Sequence, residues 1–372
     1  MANTMAKAKP LDIKYDKKDE NESVPLIAYD VSFSGADFPV DGVVQRMNNK
    51  DFRVLLLGEE FQNDDIKGFQ RSFVWNRSHS DKFIESLLMG LPVPGIFLAK
   101  TSDNIFLVID GQQRLMTLQQ FYDTKRKKPM QLGVSVQEKY RGITYESLSE
   151  KDRRRLDNSI IRATIIRQES PDGYDSIYHV FERLNSTGKM LTPQQIRMVL
   201  HHGEFADLLV KLNKNSTWRT LLGQKSIDSF LRDIEMILRF FALFYDSGKY
   251  KNPMKNFLNK FMEKRKNIPA YEQQQYEQLF CDTIVFIEKN IGERAFCGRG
   301  KKPSAAIVDS LMYGVAKRIT SVTSDMSRQE IEDVVNKMLD NPKYQEAVSK
   351  RTSNPDNVKQ RLDMSEQYLC QK

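Results

Sequence analysis

The sequence has few cysteines and no long apolar run. Cys281, Cys297 and Cys370 are too few and too widely spaced for a disulfide framework or a cysteine-based zinc site. An apolar run of about eighteen residues, which a transmembrane helix requires, is missing. Residues 1–22 lack the apolar core of a signal peptide. We therefore expect a cytoplasmic protein that does not enter a membrane.

The signatures of several enzyme classes are also missing. No G-x-x-x-x-G-K-[ST] segment exists, which excludes a P-loop NTPase, and no G-x-G-x-x-G follows a strand to indicate a dinucleotide fold. Neither H-E-x-x-H nor G-x-S-x-G occurs, which argues against a zincin protease and a serine hydrolase. The C-terminal half has no spaced His-Asn-His pattern of the kind an HNH nuclease uses.

The composition is that of a globular protein with a mild basic excess. The chain has 372 residues, enough for about two domains, of which 40% are apolar and 28% charged. The formal net charge is +8 and the pI about 9.1. This excess permits a polyanionic partner such as nucleic acid without requiring one.

Hydrophobic patterning predicts an α+β N-terminal half. The two apolar runs at 95–99 and 105–109 indicate a hairpin, and 160–166 is a further β-rich run. We expect one helix with Ser80 as its N-cap, ended by Pro92 and Pro94, and a second that begins near Gln113.

The C-terminal half is predicted to be all helical. Thr192, Pro193 and Gln195 form a capping box at a helix start. Strand signals fade after about residue 200, and helical patterns cover 227–244, 271–290, 304–320 and 327–340. We therefore divide the chain into a partly ordered tail at 1–40, an α+β domain at 41–200 and a helical domain at 201–372.

The sharpest local motif is Asp110-Gly111-Gln112-Gln113-Arg114. A β-run enters it and a helix leaves it, so backbone N–H groups at the helix start would face an anion, favoured by the helix dipole. Arg114 would add a bidentate phosphate contact. The alternative is a polar turn in which Asp110 caps the helix and Arg114 pairs with a carboxylate.

Two further segments carry candidate ligand contacts. Gln70 and Arg71 lie between aromatic residues, where Arg71 would reach toward phosphate or would instead snorkel from a buried strand. Asn185 and Lys189 lie in a polar loop after a mainly apolar helix, and this loop would border a ligand.

A basic segment in the C-terminal half is a candidate DNA contact. Residues 251–266 contain six Lys or Arg and one acidic residue, interleaved with Phe257 and Phe261. The candidate phosphate contacts are Lys260, Lys264, Arg265 and Lys266. The alternative is a solvated helix face.

Taken in order, four blocks resemble the GmrSD-type restriction-system family. They are Phe69–Trp75, Ile84–Pro94, Val108–Leu115 and Phe181–Thr192, and together they span roughly residues 50–200. The resemblance implies a ParB/sulfiredoxin-like fold for the N-terminal domain. It also implies defence against foreign or modified DNA, and nucleoside triphosphate binding and hydrolysis at the Asp110–Arg114 loop.

Many family members use an HNH-type nuclease on a separate domain or subunit. Because the HNH residues are missing here, the resemblance points to the NTP-using, sensing component. DNA is the expected partner, together with a separate nuclease subunit and, as a further possibility, a second copy of the chain.

The resulting hypothesis is an NTPase that gates action on DNA. Arg114 and Arg71 would neutralise charge during phosphoryl transfer, and Gln112, Gln113 or Gln70 would orient the attacking water. Asp110 would hold Mg²⁺, Gly111 would let the phosphates approach the backbone, and Asn185 and Lys189 would close the far side of the pocket. The alternatives are a non-catalytic binding module that recruits a nuclease, and a metal-dependent DNA nickase.

Overall fold

The computed structural model describes residues 11–14, 30–54, 75–101, 104–170, 192–228, 230–321 and 326–370. These residues fall into two compact units. Residues 30–170 form an α+β unit, and residues 11–14 together with 192–370 form a helical unit. The α+β class expected from the sequence is confirmed.

The α+β unit is built on a five-stranded mixed sheet with the strand order β1-β5-β3-β4-β2. β1 pairs antiparallel with β5, β5 parallel with β3, β3 antiparallel with β4, and β4 parallel with β2. The expected hairpin is the β3–β4 pair. The elements of this unit are β1 (Asp30–Pro39), α1 (Val40–Asn48), β2 (Phe52–Arg53), α2 (Arg77–Met89), β3 (Ile96–Lys100), β4 (Phe106–Asp110), α3 (Gln112–Tyr122), α4 (Glu150–Asp157) and β5 (Ile160–Ser170).

Four helices cover one face of this sheet and form its core with it. α3 packs against α1 and α2, and α4 packs against both of these helices as well. The strands contribute alternate residues to this core, because successive side chains of a strand point to opposite faces of the sheet. Fully buried members are Val40, Val43, Ile84, Leu88, Leu98, Val108, Leu115, Leu118, Leu156 and Ile161.

Two boundaries in this unit differ from the sequence-based expectation. Residues 30–39, placed in the partly ordered tail, form β1 and pair along their length with β5. α2 begins a turn earlier than a Ser80 cap implies, because the Asn76 side chain accepts a hydrogen bond from the His79 N–H at 2.9 Å. It ends at Gly90, which has a φ of 72°, before either proline is reached.

The helical unit begins with the predicted capping box. The Gln195 side chain accepts from the Thr192 N–H at 2.7 Å, and the Thr192 hydroxyl accepts from the Gln195 N–H at 3.2 Å. The helices are α5 (Pro193–Leu200), α6 (Glu204–Asn213), α7 (Ser216–Leu221), α8 (Arg232–Asp246), α9 (Met254–Lys264), α10 (Ala270–Asn290), α11 (Ala305–Ser321), α12 (Arg328–Asp340), α13 (Pro342–Ser349) and α14 (Pro355–Leu369). Because α5 packs against α8 and α9, residues 192–200 join this unit rather than the α+β domain to which we assigned them.

A buried ion-pair cluster ties three of these helices together. Asp309 of α11 accepts two hydrogen bonds from Arg239 of α8, at 2.9 and 2.6 Å, and one from Arg361 of α14 at 2.8 Å. Burial alone would raise the pKa of Asp309, but the two guanidinium groups outweigh it and lower that pKa.

Residues 11–14 also pack on the helical unit. Leu11 is buried, and its carbonyl oxygen accepts a hydrogen bond from Arg232 Nη1 at 3.2 Å. Lys14 forms a β-bridge with Ser304.

Candidate functional site

A glycine turn joins β4 to α3 at the Asp110–Arg114 motif. Gly111 is the N-cap of α3, with φ 94° and ψ 8°, a conformation that disfavours side chains. The space is closed as well, because a Cβ on Gly111 would lie 2.4 Å from Ile96 Cγ2. Within the part of the chain that the structure describes, no group accepts from the N–H groups of residues 112–114. This helix start therefore retains the polarity that favours an anion.

The guanidinium of Arg114 is turned inward and makes three hydrogen bonds. Nη1 donates to the carbonyl oxygens of Pro94 and Gly95 at 2.5 and 2.8 Å, and Nη2 donates to Asp110 Oδ2 at 2.6 Å. The Arg114 side chain is 10% exposed, whereas that of Asp110 is 48% exposed. Arg114 thus connects the end of β4 to the segment before β3. This agrees with the polar-turn alternative of the sequence analysis, in which Arg114 pairs with a carboxylate.

The two glutamines of the motif differ in their contacts. Gln113 Oε1 accepts from the Trp75 N–H at 2.7 Å, and its buried Nε2 has no partner among the described residues. Gln112 Nε2 donates to the Val108 carbonyl oxygen at 3.3 Å. Of the two amide groups, that of Gln113 holds an unused buried donor.

An open cleft of about 840 Å³ lies beside this turn, on the sheet. Its floor includes one row of direct cross-strand neighbours, Gly35, Thr164, Phe97 and Asp110. Asp37 and Arg162 also line the cleft, and they lie opposite each other in the β1–β5 register.

Both charged side chains of that β1–β5 pair are exposed. Arg162 alternates along β5 with the core residues Ile161 and Ala163, and therefore projects from the other face of the sheet. The cleft thus brings a guanidinium and two carboxylates, those of Asp37 and Asp110, to one surface.

Residues 55–202 match the family model described as GmrSD restriction endonuclease, N-terminal domain. This region is similar to that domain. The match covers the region in which the sequence blocks resemble GmrSD-type proteins, and it associates the GmrSD N-terminal domain with a restriction system. Comparison with curated proteins and with solved structures found no match.

The α+β unit extends beyond the matched residues. β1, α1 and β2 all precede residue 55, and β1 supplies Gly35 and Asp37 to the cleft. Neither Asp37 nor Arg162 was singled out from the sequence. The available signal was an arginine inside the apolar run 160–166.

Four predicted site residues lie outside the described residues. They are Gln70, Arg71, Asn185 and Lys189. Their proposed roles at the NTP site remain predictions.

The basic segment of the helical unit presents some of its cations and uses one internally. Lys260 and Lys264 are exposed and Lys266 is half-buried. Arg265 donates from Nε to the Tyr276 hydroxyl at 2.7 Å and from Nη1 to Asp246 Oδ2 at 3.2 Å.

Arg265 also stacks on Phe261 and lowers the pKa of Asp246, and both contacts support an internal role. Its guanidinium carbon lies 3.7 Å from the centre of the Phe261 ring. Burial of Asp246 opposes its ionisation, but Lys249 and Arg265 outweigh that effect and lower its pKa. This arginine therefore stabilises the packing of α9 on α8 and α10.

Two further properties bear on function. Among the described residues, no helix is long and apolar enough to cross a membrane. The same residues contain no group of three or more His, Cys, Asp or Glu arranged to hold a metal ion.

Proposed function

We propose that this chain is the nucleotide-using component of a DNA-restriction system, and that a nucleoside triphosphate binds and is hydrolysed at the cleft beside the β4–α3 turn. The observation that carries the proposal is the placement of Arg162 and the half-exposed Asp110 on one cleft, next to a helix start whose first N–H groups have no acceptor among the described residues. Arginine side chains and free backbone N–H groups are the donors that commonly bind the oxygens of a phosphate chain.

In this proposal the residues have distinct tasks. Arg162 neutralises phosphate charge, and the N–H groups of residues 112–114 bind a terminal phosphate at the start of α3. Arg114 is a positioning residue, because it holds Asp110 and the Pro94–Gly95 carbonyl groups.

The residues of the cleft suit Mg²⁺ only when phosphate oxygens of the bound substrate complete its set of ligands. Asp110 offers Oδ1 beside the Oδ2 that Arg114 occupies, and Asp37 lines the same cleft. Mg²⁺ is commonly held by one or two carboxylates together with substrate phosphates and water. Bound in this way, the ion would supply charge neutralisation for the phosphates.

Binding and turnover of ATP and GTP test this proposal, with the full chain and Mg²⁺. Arg162→Gln should weaken nucleotide binding about 10-fold to 100-fold, because one charge-assisted contact contributes about 1.5–3 kcal/mol. Arg167→Gln removes an exposed arginine from the same strand outside the cleft and is the matched control.

The outcomes separate the rival functions. Wild-type affinity in Arg162→Gln would reject this cleft as the nucleotide site. Tight nucleotide binding without phosphate release would favour a binding module that recruits a separate nuclease. Metal-dependent nicking of supercoiled plasmid by the purified chain would instead favour the nickase.

A further inference from the structure

A second cationic feature of the α+β unit lies away from the cleft, in the loop after α3. Lys125, Arg126, Lys127 and Lys128 are consecutive and all exposed. Asp123 is the acidic residue of this loop, with its Oδ2 4.0 Å from Arg126 Nε. The loop is fixed at both ends, because Phe121 before it and Met130 after it are buried in the core.

The end of α1 adds to the same surface. The Gln119 side chain, near the end of α3, donates to Asn48 Oδ1, on the last residue of α1, at 3.1 Å. The carboxyl ends of the two helices are therefore neighbours. Arg46 and Lys50 are exposed at the end of α1, and the Arg46 guanidinium carbon lies 5.3 Å from the centre of the Phe38 ring. We call Arg46, Lys50 and 125–128 the basic surface.

Helix dipoles do not account for this accumulation of charge. A cation at a helix carboxyl end gains about 0.3–1 kcal/mol, and the gain falls off within the last turn. Arg46 lies in the last turn of α1, but Lys127 and Lys128 come well after the end of α3 at Tyr122. The loop therefore places like charges together where the fold gains little from them.

We propose that the basic surface binds the phosphate backbone of duplex DNA. The inference rests on the proposed restriction function and assigns the DNA contact of that function to the α+β unit. Asn48 and Gln119 join the two helix ends that carry these cations, and amide groups of this kind contact phosphate and sugar oxygens in DNA complexes. The large exposed apolar side chains of the described residues all lie elsewhere in the sequence, so insertion into a lipid surface has no support here.

The test is DNA affinity across a salt series, measured by fluorescence anisotropy with a labelled duplex and the full chain. The loop variant carries Lys125→Gln, Arg126→Gln, Lys127→Gln and Lys128→Gln. Each phosphate contact contributes about 0.9 to the slope of log K against log salt, so the slope should flatten by about 3–4. Between about 50 and 200 mM salt, the wild type should therefore lose about 100-fold more affinity than the variant.

The matched control removes the same amount of charge from the basic segment of the helical unit. It carries Lys251→Gln, Lys260→Gln, Lys264→Gln and Lys266→Gln and leaves the internally engaged Arg265 intact. We expect this control to keep the wild-type slope. An unchanged slope in the loop variant, or equal flattening in both variants, would overturn the inference.

Two measurements keep the result interpretable. If the loop variant unfolds by circular dichroism, Lys127→Gln with Lys128→Gln should flatten the slope by about 2. Phosphate release without DNA is measured on the same preparations and should be unchanged in the loop variant. A wild type that releases phosphate but binds no duplex, or binds only anionic lipid vesicles, refutes this inference and leaves the nucleotide site standing.

Discussion

Replacing Arg114 by alanine tests whether this residue is a clamp or a phosphate contact. The substitution removes three hydrogen bonds at once, to Pro94, Gly95 and Asp110. Pro94 and Gly95 are exposed and Asp110 is half-exposed, so water reaches the acceptors that are left behind. With a net contribution of about 0.5–1.5 kcal/mol for each bond, we expect Arg114→Ala to lower the free energy of unfolding by about 2–4 kcal/mol.

The assay is thermal unfolding of the full chain, with hydrogen exchange of residues 96–122 to localise the loss. For a unit of this size the expected fall in Tm is about 4–16 °C. Gln112→Ala is the control, because it lies in the same helical turn and loses a single side-chain bond of 3.3 Å. A Tm of Arg114→Ala within about 1 °C of wild type would refute the clamp, and loss of turnover in that stable variant would restore Arg114 as a direct phosphate contact.

Three further predictions concern stability. Gly111→Ala should cost about 2–4 kcal/mol through its positive φ and its contact with Ile96, whereas Gly142→Ala, with φ 74° and open space, should cost about 1 kcal/mol in a urea titration. Asp309→Asn should cost about 3–5 kcal/mol at neutral pH. Because the pKa of Asp309 is lowered in the folded protein, its contribution is present above about pH 4 and is lost as the pH falls, so acid titration should destabilise the wild type more than this variant. Burial lowers the pKa of His201 to about 3, so below about pH 6.5 the unfolded chain takes up a proton that the folded protein excludes. Wild-type stability should fall by about 1.4 kcal/mol per pH unit from this source, and His201→Gln should lack that slope between about pH 6.5 and 4.

Local sequence signals predicted the elements that are stabilised by contacts between residues close together in the chain. The β3–β4 hairpin, the start of α3 and the capping box at Thr192 all follow from short patterns. The apolar alternation of the segment 30–39 changes phase between Phe33 and Ala36, and the segment forms one strand because β5 provides a continuous pairing edge. No short sequence window contains that partner.

The choice of the α2 N-cap was decided by tertiary contacts. Asn76 and Ser80 are both capable caps. Asp81 is fully buried, where its carboxylate accepts from the Gly133 N–H at 3.0 Å and pairs with Arg77 at 3.0 Å. A helix that begins at Arg77 places both Arg77 and Asp81 on one helical face.

The sequence predicted the glycine turn of the candidate site, but it did not predict the residues that line the cleft. Gly111 and its helix start follow from the motif itself, whereas the engagement of Arg114 depends on carbonyl groups about twenty residues earlier in the chain. Asp37 and Arg162 come together only through the register of two strands far apart in sequence. Basic density alone likewise did not distinguish Arg265, which is engaged internally, from the exposed cations around it.

The packing of residues 11–14 on the helical unit has a consequence for synthesis on the ribosome. Lys14 leaves the tunnel long before its bridge partner Ser304, and at about 5–20 residues per second the delay is about 15–60 s. The strands and helices of residues 30–170 all emerge within that interval. The nascent chain therefore has time to complete the sheet and its core before Ser304 is available to pair with Lys14. Slowed translation between residues 170 and 304 should leave Leu11 accessible to a chaperone for longer without exposing the finished sheet.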